Sequence, residues 1–168
     1  GIEVHSMSKG WNMIGWRLGW FCGNPLIVRA LADVKDNSDS GQFLAIQKSA
    51  VKALDEDRIP DEASAKYFRR LRKLVASLNK FGFNCEVPGG TYFLYTQTPK
   101  GLKSGRRFAN AEEASQFLIT EQSVCTVPWD DAGSFLRWSV TYLVDGQSGE
   151  DALMTELEER LAKIAFEF

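Results

Sequence analysis

The sequence is poor in metal-binding and cross-linking side chains. It contains one histidine and three cysteines, Cys22, Cys85 and Cys125, in 168 residues. An odd number of widely spaced cysteines argues against a disulfide framework, and a single histidine excludes the common zinc-binding spacings. We therefore expect no metal site and reduced thiols, which favour a cytoplasmic location.

Neither a strong charge nor a long apolar run is present. The formal net charge is −2, and both signs are mixed along the chain, which argues against nucleic acid or a membrane surface as a partner. No apolar run approaches the about 20 residues that a membrane-spanning helix needs. A hydrophobic content of 44% is nevertheless enough for a sizeable core.

The most informative stretch is Ser6–Trp20. Ile2–Val4 predicts a short strand, the Ser-, Gly- and Asn-rich residues 6–15 predict a loop, and Trp16–Cys22 predicts a second strand. This interpretation gathers one lysine, two hydroxyls and one arginine on a turn between two strands.

These side chains suit a particular chemistry. The amine of Lys9 can form a Schiff base with a carbonyl cofactor such as pyridoxal phosphate. The hydroxyls of Ser6 and Ser8 and the guanidinium of Arg17 can bind the cofactor's phosphate. For an isolated Ser-x-Ser-Lys, however, an exposed lysine near a solvated arginine is the ordinary explanation.

The complete pattern is more specific than its parts. Ser6 precedes Lys9 by three residues, and Arg17 follows it by eight within a Gly-x-Arg-x-Gly sequence. This spacing resembles the cofactor-lysine motif of the class I/II aminotransferases of fold type I. The resemblance implies that Lys9 is catalytic and carries pyridoxal 5'-phosphate, while Ser6 and Arg17 hold its phosphate and Ser8 is a further candidate.

A second stretch carries an arginine inside an apolar strand. Arg137 lies in the middle of the largely apolar strand predicted over Phe135–Tyr142, and burying it would be costly without an anionic partner. It could lie on an edge strand facing water, or it could bind a substrate carboxylate with two parallel hydrogen bonds. The family has its α-carboxylate-binding arginine in a similar Leu-Arg-x-Ser context, which implies the second role.

Four further polar residues are candidates for choosing the substrate. Residues 128–133 resemble members of the family that act on LL-diaminopimelate or aspartate, so Asp130 and Asp131 could recognise a distal ammonium group or be solvated turn residues. Asp36–Gly41 predicts a loop, which is either a solvated turn or, by resemblance, a contact to the neighbouring subunit's active site through Asn37 or Ser40.

The rest of the chain predicts helices and short strands. Apolar spacing indicates helices from Pro25 to Val34 and at residues 43–54, 62–81 and 111–121, with a last one from Ser148. Strands are predicted at residues 91–96 and 124–127, and loops at residues 55–60 and 99–108. The basic residues of the longest helix are interpreted as a solvated face rather than a nucleic-acid surface: Arg69, Arg70, Arg72 and Lys73.

The predicted class is α/β, and the resemblance implies the C-terminal part of the pyridoxal-phosphate-dependent transferase fold. Residues 1–60 would be the edge of the large-domain sheet, 61–82 the linking helix and 83–168 the α/β small domain. We therefore expect a fragment, inactive alone, of a homodimeric enzyme acting on amino acids and 2-oxo acids. A lyase or decarboxylase of the same fold, or a non-enzymatic effector domain, stays open.

Overall fold

The chain contains five α-helices and seven strands that pair antiparallel, which confirms the α/β class. The computed structural model describes residues 1–168 and divides into two units, unit 1 (residues 1–65) and unit 2 (residues 66–168). The assignment of three segments to a large domain, a linking helix and a small domain stays a prediction. No helix is long and apolar enough to cross a membrane.

Unit 1 has a two-stranded sheet and two complete helices. Strand β1 (Ile2–Ser6) pairs antiparallel with β2 (Gly19–Gly23), followed by α1 (Pro25–Ser38) and α2 (Leu44–Leu54). The Asn24 side chain caps α1 by accepting a 2.9 Å hydrogen bond from the Leu26 N–H. The buried hydrophobic residues of this unit are Met7 and Ala50, so it has little core of its own.

The predicted start of β2 and the predicted end of α1 are wrong. Strand β2 begins at Gly19 rather than Trp16, because Ile14–Trp16 forms a 3-10 turn that ends on Arg17 in a left-handed conformation, with φ +53°. Helix α1 continues through Asn37 to Ser38, where a loop was predicted. The Asn37 and Ser38 side chains donate to carbonyls four residues earlier, so their polar groups are satisfied inside the helix.

Helix α3 (Arg58–Asn79) begins in unit 1 and ends in unit 2. It starts four residues before the predicted Glu62, because Pro60 fits the first helical turn, where no backbone N–H is needed. Its predicted apolar stripe is confirmed by the burial of Leu71, Leu74 and Leu78. After the helix, Gly82 adopts φ +89°, a left-handed conformation that glycine permits.

Unit 2 contains the main core. Its remaining elements are β3 (Phe93–Gln97), β4 (Gly101–Leu102), α4 (Ala111–Gln122), β5 (Val127–Trp129), β6 (Phe135–Ser139), α5 (Gly146–Leu161) and β7 (Phe166–Glu167). The strands form two antiparallel sheets, β3-β6-β5 and β4-β7. Because side chains alternate across a strand, Leu136 and Trp138 of β6 enter the core.

Some strands of unit 2 differ from the sequence prediction. Val124 does not begin a strand, because its N–H bonds the Leu118 carbonyl at 2.9 Å and closes the end of α4. Strand β5 therefore starts three residues later, at Val127, and β6 ends at Ser139 rather than Tyr142. Strands β4 and β7 were not predicted, since pairs of two residues leave no periodic signal.

The basic face of α3 is not simply solvated, which corrects the sequence interpretation. Arg70 is only 3% exposed and Glu150 of α5 only 1%. The Glu150 carboxylate accepts hydrogen bonds from Arg69 (3.0 and 2.9 Å), Arg70 (2.8 Å) and Lys73 (3.2 Å). We call these four residues the Glu150 cluster.

The Glu150 cluster predicts a pH-dependent stability. The hydrogen bond from Arg69, and those from Arg70 and Lys73, hold the pKa of Glu150 well below its ordinary value, although burial opposes them. Because the unfolded chain binds this proton at about pH 4.3, the stabilisation is complete above that pH and is lost below it. Replacing Glu150 with Gln should cost about 3–5 kcal/mol at neutral pH.

The measurement is urea unfolding of wild type and Glu150→Gln between about pH 7 and 3. The difference in unfolding free energy between the two proteins should narrow as the pH falls through the unfolded-state pKa. A difference that stays constant over this range would contradict the assignment.

Candidate active site

The connection between β1 and β2 is held by its own backbone hydrogen bonds. Met7 is fully buried, and its N–H donates to the Leu18 carbonyl at 3.1 Å, which extends the pairing of the two strands beyond Ser6 and Gly19. The Met7 carbonyl in turn accepts from the Met13 N–H at 3.2 Å. The backbone that carries the candidate lysine is therefore anchored at both ends.

Ser6 and Ser8 lie at the start of this connection. Ser6 is the last residue of β1, and its Oγ accepts a 3.1 Å hydrogen bond from the Ser8 N–H. The Ser6 hydroxyl still has its own proton to donate. Across the sheet, Gly19 has no room for a side chain, since a Cβ there would lie 2.7 Å from the His5 carbonyl oxygen.

Lys9 and Arg17 occupy the two sides of the same connection. Lys9 is exposed in the turn, and its carbonyl accepts from the Asn12 N–H at 3.2 Å. Arg17 is also exposed, and its Nη1 donates to the Ile14 carbonyl at 3.1 Å. The structure thus places the four predicted residues at the connection between β1 and β2, although Arg17 lies before β2 rather than on it.

This donor set fits the phosphate and aldehyde of pyridoxal phosphate. A guanidinium has five N–H donors, and Arg17 commits one to the Ile14 carbonyl, which leaves others for an anion. Together with the Ser6 hydroxyl, it offers charged and neutral donors beside an exposed primary amine. An amine can bind a phosphorylated aldehyde covalently through the aldehyde carbon. The guanidinium and the hydroxyl can bind its negatively charged phosphate.

Arg137 lies on the central strand of the β3-β6-β5 sheet, which rules out the edge-strand alternative. It projects from the face opposite the core, where it lies directly across from Tyr95. Its guanidinium carbon lies 4.5 Å from the centre of the Phe93 ring and 5.3 Å from that of Trp129. Two cation–π contacts hold this cation while leaving its fork of donors for a ligand.

Asp130 has a structural role. Its two carboxylate oxygens accept hydrogen bonds from the backbone N–H groups of Ala111 (2.9 Å) and Glu112 (3.3 Å), at the start of α4. The Asn110 side chain accepts from the next N–H, that of Glu113, at 2.9 Å. A negative charge at this position also complements the helix dipole, so Asp130 is explained without a substrate. Asp131 is exposed and makes no such contact with α4.

Asn37 and Ser40 are exposed, but only Ser40 lies in a loop. The Asn37 side chain donates to the Asp33 carbonyl at 2.7 Å within α1. The apolar spacing ends at Val34, so it gave no signal for this last helical turn, in which every residue is polar.

One cluster of possible metal ligands was not predicted from the sequence. Glu3, His5 and Cys22 lie on one face of β1 and β2, with ligand atoms within 4.8 Å of one another. Their chemistry could accept a divalent cation, which the spacing along the chain does not show because the residues lie on two strands. His5 is already held by a 3.0 Å hydrogen bond to Glu3 and by stacking on Trp20, with ring centres 5.2 Å apart.

Comparison with known proteins identifies the family of the chain. Residues 1–144 match the family described as aminotransferase class I and II. The chain therefore belongs to the class I and II aminotransferases.

Two archaeal relatives have the same name. The chain is 49% identical to an LL-diaminopimelate aminotransferase of Methanococcus maripaludis and 44% identical to one of Methanocaldococcus jannaschii. Each match covers 100% of this chain and 42% of the relative, so the chain spans less than half the length of these proteins.

Solved structures agree on the fold. A substrate-bound BacF structure from Bacillus subtilis is matched with a TM-score of 0.82 and 25% identity, over 100% of this chain and 42% of that one. An aminotransferase from Staphylococcus aureus is matched with a TM-score of 0.77 and 28% identity, over 96% and 42%. The predicted transferase fold is thereby confirmed.

The structural role of Asp130 can be tested by stability. Replacing Asp130 with Ala removes two hydrogen bonds from the first turn of α4 and should cost about 0.5–2 kcal/mol of unfolding free energy. Asp131→Ala is the matched control and should change it by less than about 0.5 kcal/mol. Urea unfolding measures both, and equal losses for the two variants would contradict the capping role.

Proposed function

We propose that the complete protein transfers an amino group between an amino acid and a 2-oxo acid, with pyridoxal 5'-phosphate as cofactor and LL-diaminopimelate as an amino donor. The observation that carries the proposal is the placement of Ser6, Lys9 and Arg17 at the connection between β1 and β2. Membership of the aminotransferase family supports the reaction, and the name of the 49% identical relative supports the donor.

Each residue of the turn has a separate task. When bound, the cofactor stabilises negative charge at the substrate's α-carbon. Lys9 would hold the cofactor covalently through its amine, and would carry a proton to and from the substrate's α-carbon. Arg17 and Ser6 would hold the phosphate by charge and hydrogen bonds, with Ser8 as a further donor.

Arg137 would orient the amino acid by its α-carboxylate. The contacts with Phe93 and Trp129 restrict where the guanidinium lies without using its N–H donors. A guanidinium that is already held loses less conformational freedom on binding a carboxylate, which favours affinity. Every amino-acid substrate has this carboxylate, so Arg137 would serve donors and acceptors alike.

The choice among amino acids needs a second charged contact. A distal ammonium group, as in diaminopimelate, would favour a carboxylate partner. Asp131 is the better candidate in this loop, because Asp130 accepts two N–H groups of α4. Asn37 remains a candidate contact to the substrate in the partner subunit of a homodimer.

The cellular setting is part of the proposal. All three cysteines are free thiols, which suits the reducing cytoplasm. The relatives extend well beyond the matched length, so we expect the 168-residue chain alone to be inactive. The expected homodimer of the complete protein rests on the family resemblance alone.

The reaction can be tested with the complete protein, pyridoxal phosphate, LL-diaminopimelate and a 2-oxo acid such as 2-oxoglutarate. Amino transfer predicts one new amino acid per 2-oxo acid consumed, without release of ammonia or carbon dioxide. Chromatography of the products measures this balance. Ammonia release would indicate a lyase, carbon dioxide a decarboxylase, and cofactor binding without turnover an effector domain.

The phosphate role of Arg17 gives a separate prediction. Because a charge-assisted hydrogen bond contributes about 1.5–3 kcal/mol, Arg17→Ala should weaken pyridoxal phosphate binding by roughly tenfold to a hundredfold. Arg29→Ala is the control, since Arg29 is an exposed arginine of α1 outside the turn. Equilibrium titration of the cofactor measures both dissociation constants. An unchanged constant for Arg17→Ala would exclude its contact with the phosphate.

A further inference from the structure

Arg70 makes more contacts than charge compensation requires. Its Nε donates to Glu150 Oε1 at 2.8 Å, while its Nη1 donates to the carbonyls of Val140 (3.0 Å) and Tyr142 (2.8 Å). Its guanidinium carbon also lies 4.3 Å from the centre of the Tyr142 ring. The side chain therefore joins α3 both to α5 and to the segment that follows β6.

The other cations of the Glu150 cluster do not reach that segment's backbone. Arg69 donates twice to Glu150, and Lys73 contacts Glu150, the Gln147 carbonyl and Asp151. These two cations already compensate the buried carboxylate. The bonds to residues 140 and 142 are the contribution of Arg70 alone within the cluster.

The contacted segment continues directly from the strand that carries Arg137. Val140 follows Arg137 by three residues, is fully buried, and its N–H donates to the Tyr92 carbonyl at 3.2 Å. The two carbonyl bonds therefore hold the backbone directly after β6, the strand that carries Arg137. A shift of about 1 Å in a substrate-binding group is enough to lower the rate of an enzyme markedly.

We propose that Arg70 is a positioning residue for substrate binding, which sets the place of Arg137 by holding the Val140 and Tyr142 carbonyls. The proposal rests on the proposed role of Arg137 in binding the α-carboxylate. Glu150 supports it by orienting the Arg70 guanidinium from the opposite side.

The experiment compares Arg70→Lys with Arg69→Lys in the complete enzyme. Both variants keep the positive charge beside Glu150, but only Arg70→Lys removes the fork that contacts residues 140 and 142. Each variant is assayed with an amino acid and with the corresponding amine that lacks the α-carboxylate. The measured quantity is the ratio of kcat/KM for the two substrates.

Positioning predicts that Arg70→Lys lowers this ratio about tenfold, mainly by raising KM for the amino acid, while Arg69→Lys changes it by less than about twofold. A purely structural role would lower the active fraction and hence kcat for both substrates, and would leave the ratio unchanged. An unchanged ratio for Arg70→Lys would overturn the proposal.

A parallel assay of Arg137→Lys tests the role of Arg137 separately from the positioning role of Arg70. If this variant leaves the ratio unchanged, the role of Arg137 is wrong and the positioning role falls with it. If Arg137→Lys lowers the ratio but Arg70→Lys behaves like Arg69→Lys, only the positioning role is refuted.

A milder variant keeps the test decisive if Arg70→Lys does not fold. Tyr142→Leu removes the ring next to the Arg70 guanidinium but retains the backbone carbonyl. The proposal predicts a smaller loss of the same ratio, about twofold to fivefold. A wild-type ratio for this variant would overturn it.

Discussion

A buried carboxylate, Glu150, is the constraint on which unit 2 depends. An ionised carboxylate at 1% exposure is tolerated only because Arg69, Arg70 and Lys73 supply its hydrogen bonds. These partners come from α3, while Glu150 belongs to α5, so the two helices cannot separate without leaving a charge unpaired. The same cluster reaches the segment after β6 through Arg70, which connects the stability of unit 2 to its candidate site.

One face of strand β6 packs into the core, and the other carries Arg137, the proposed contact for the substrate carboxylate. Leu136 and Trp138 enter the core, where the Trp138 indole donates to Thr96 Oγ1 at 2.9 Å and is thereby satisfied. Arg137 lies on the opposite face between aromatic rings. Because the pleat alternates side chains, the same backbone that is fixed by the core also fixes the arginine. A buried residue, Met7, likewise anchors the connection that carries Ser6, Lys9 and Arg17.

The sequence predicted the features that depend on neighbours in the chain. The helices and the apolar stripe of α3 follow from short spacings, and the structure contains them. Contacts between distant residues could not be predicted in this way. Arg70 and Glu150 are 80 residues apart, and Asp130 caps a helix that begins 19 residues earlier. The site roles themselves rest on the family resemblance.

The central claim is that Lys9 carries the cofactor, and covalent mapping tests it most directly. The complete protein is incubated with pyridoxal phosphate, reduced with borohydride, digested and analysed by mass spectrometry. We predict a single reduced adduct on Lys9, with Lys35 of α1 and Lys48 of α2 unmodified at the same cofactor concentration. An adduct on Lys35 or Lys48 in place of Lys9, or no stable adduct, would contradict the account.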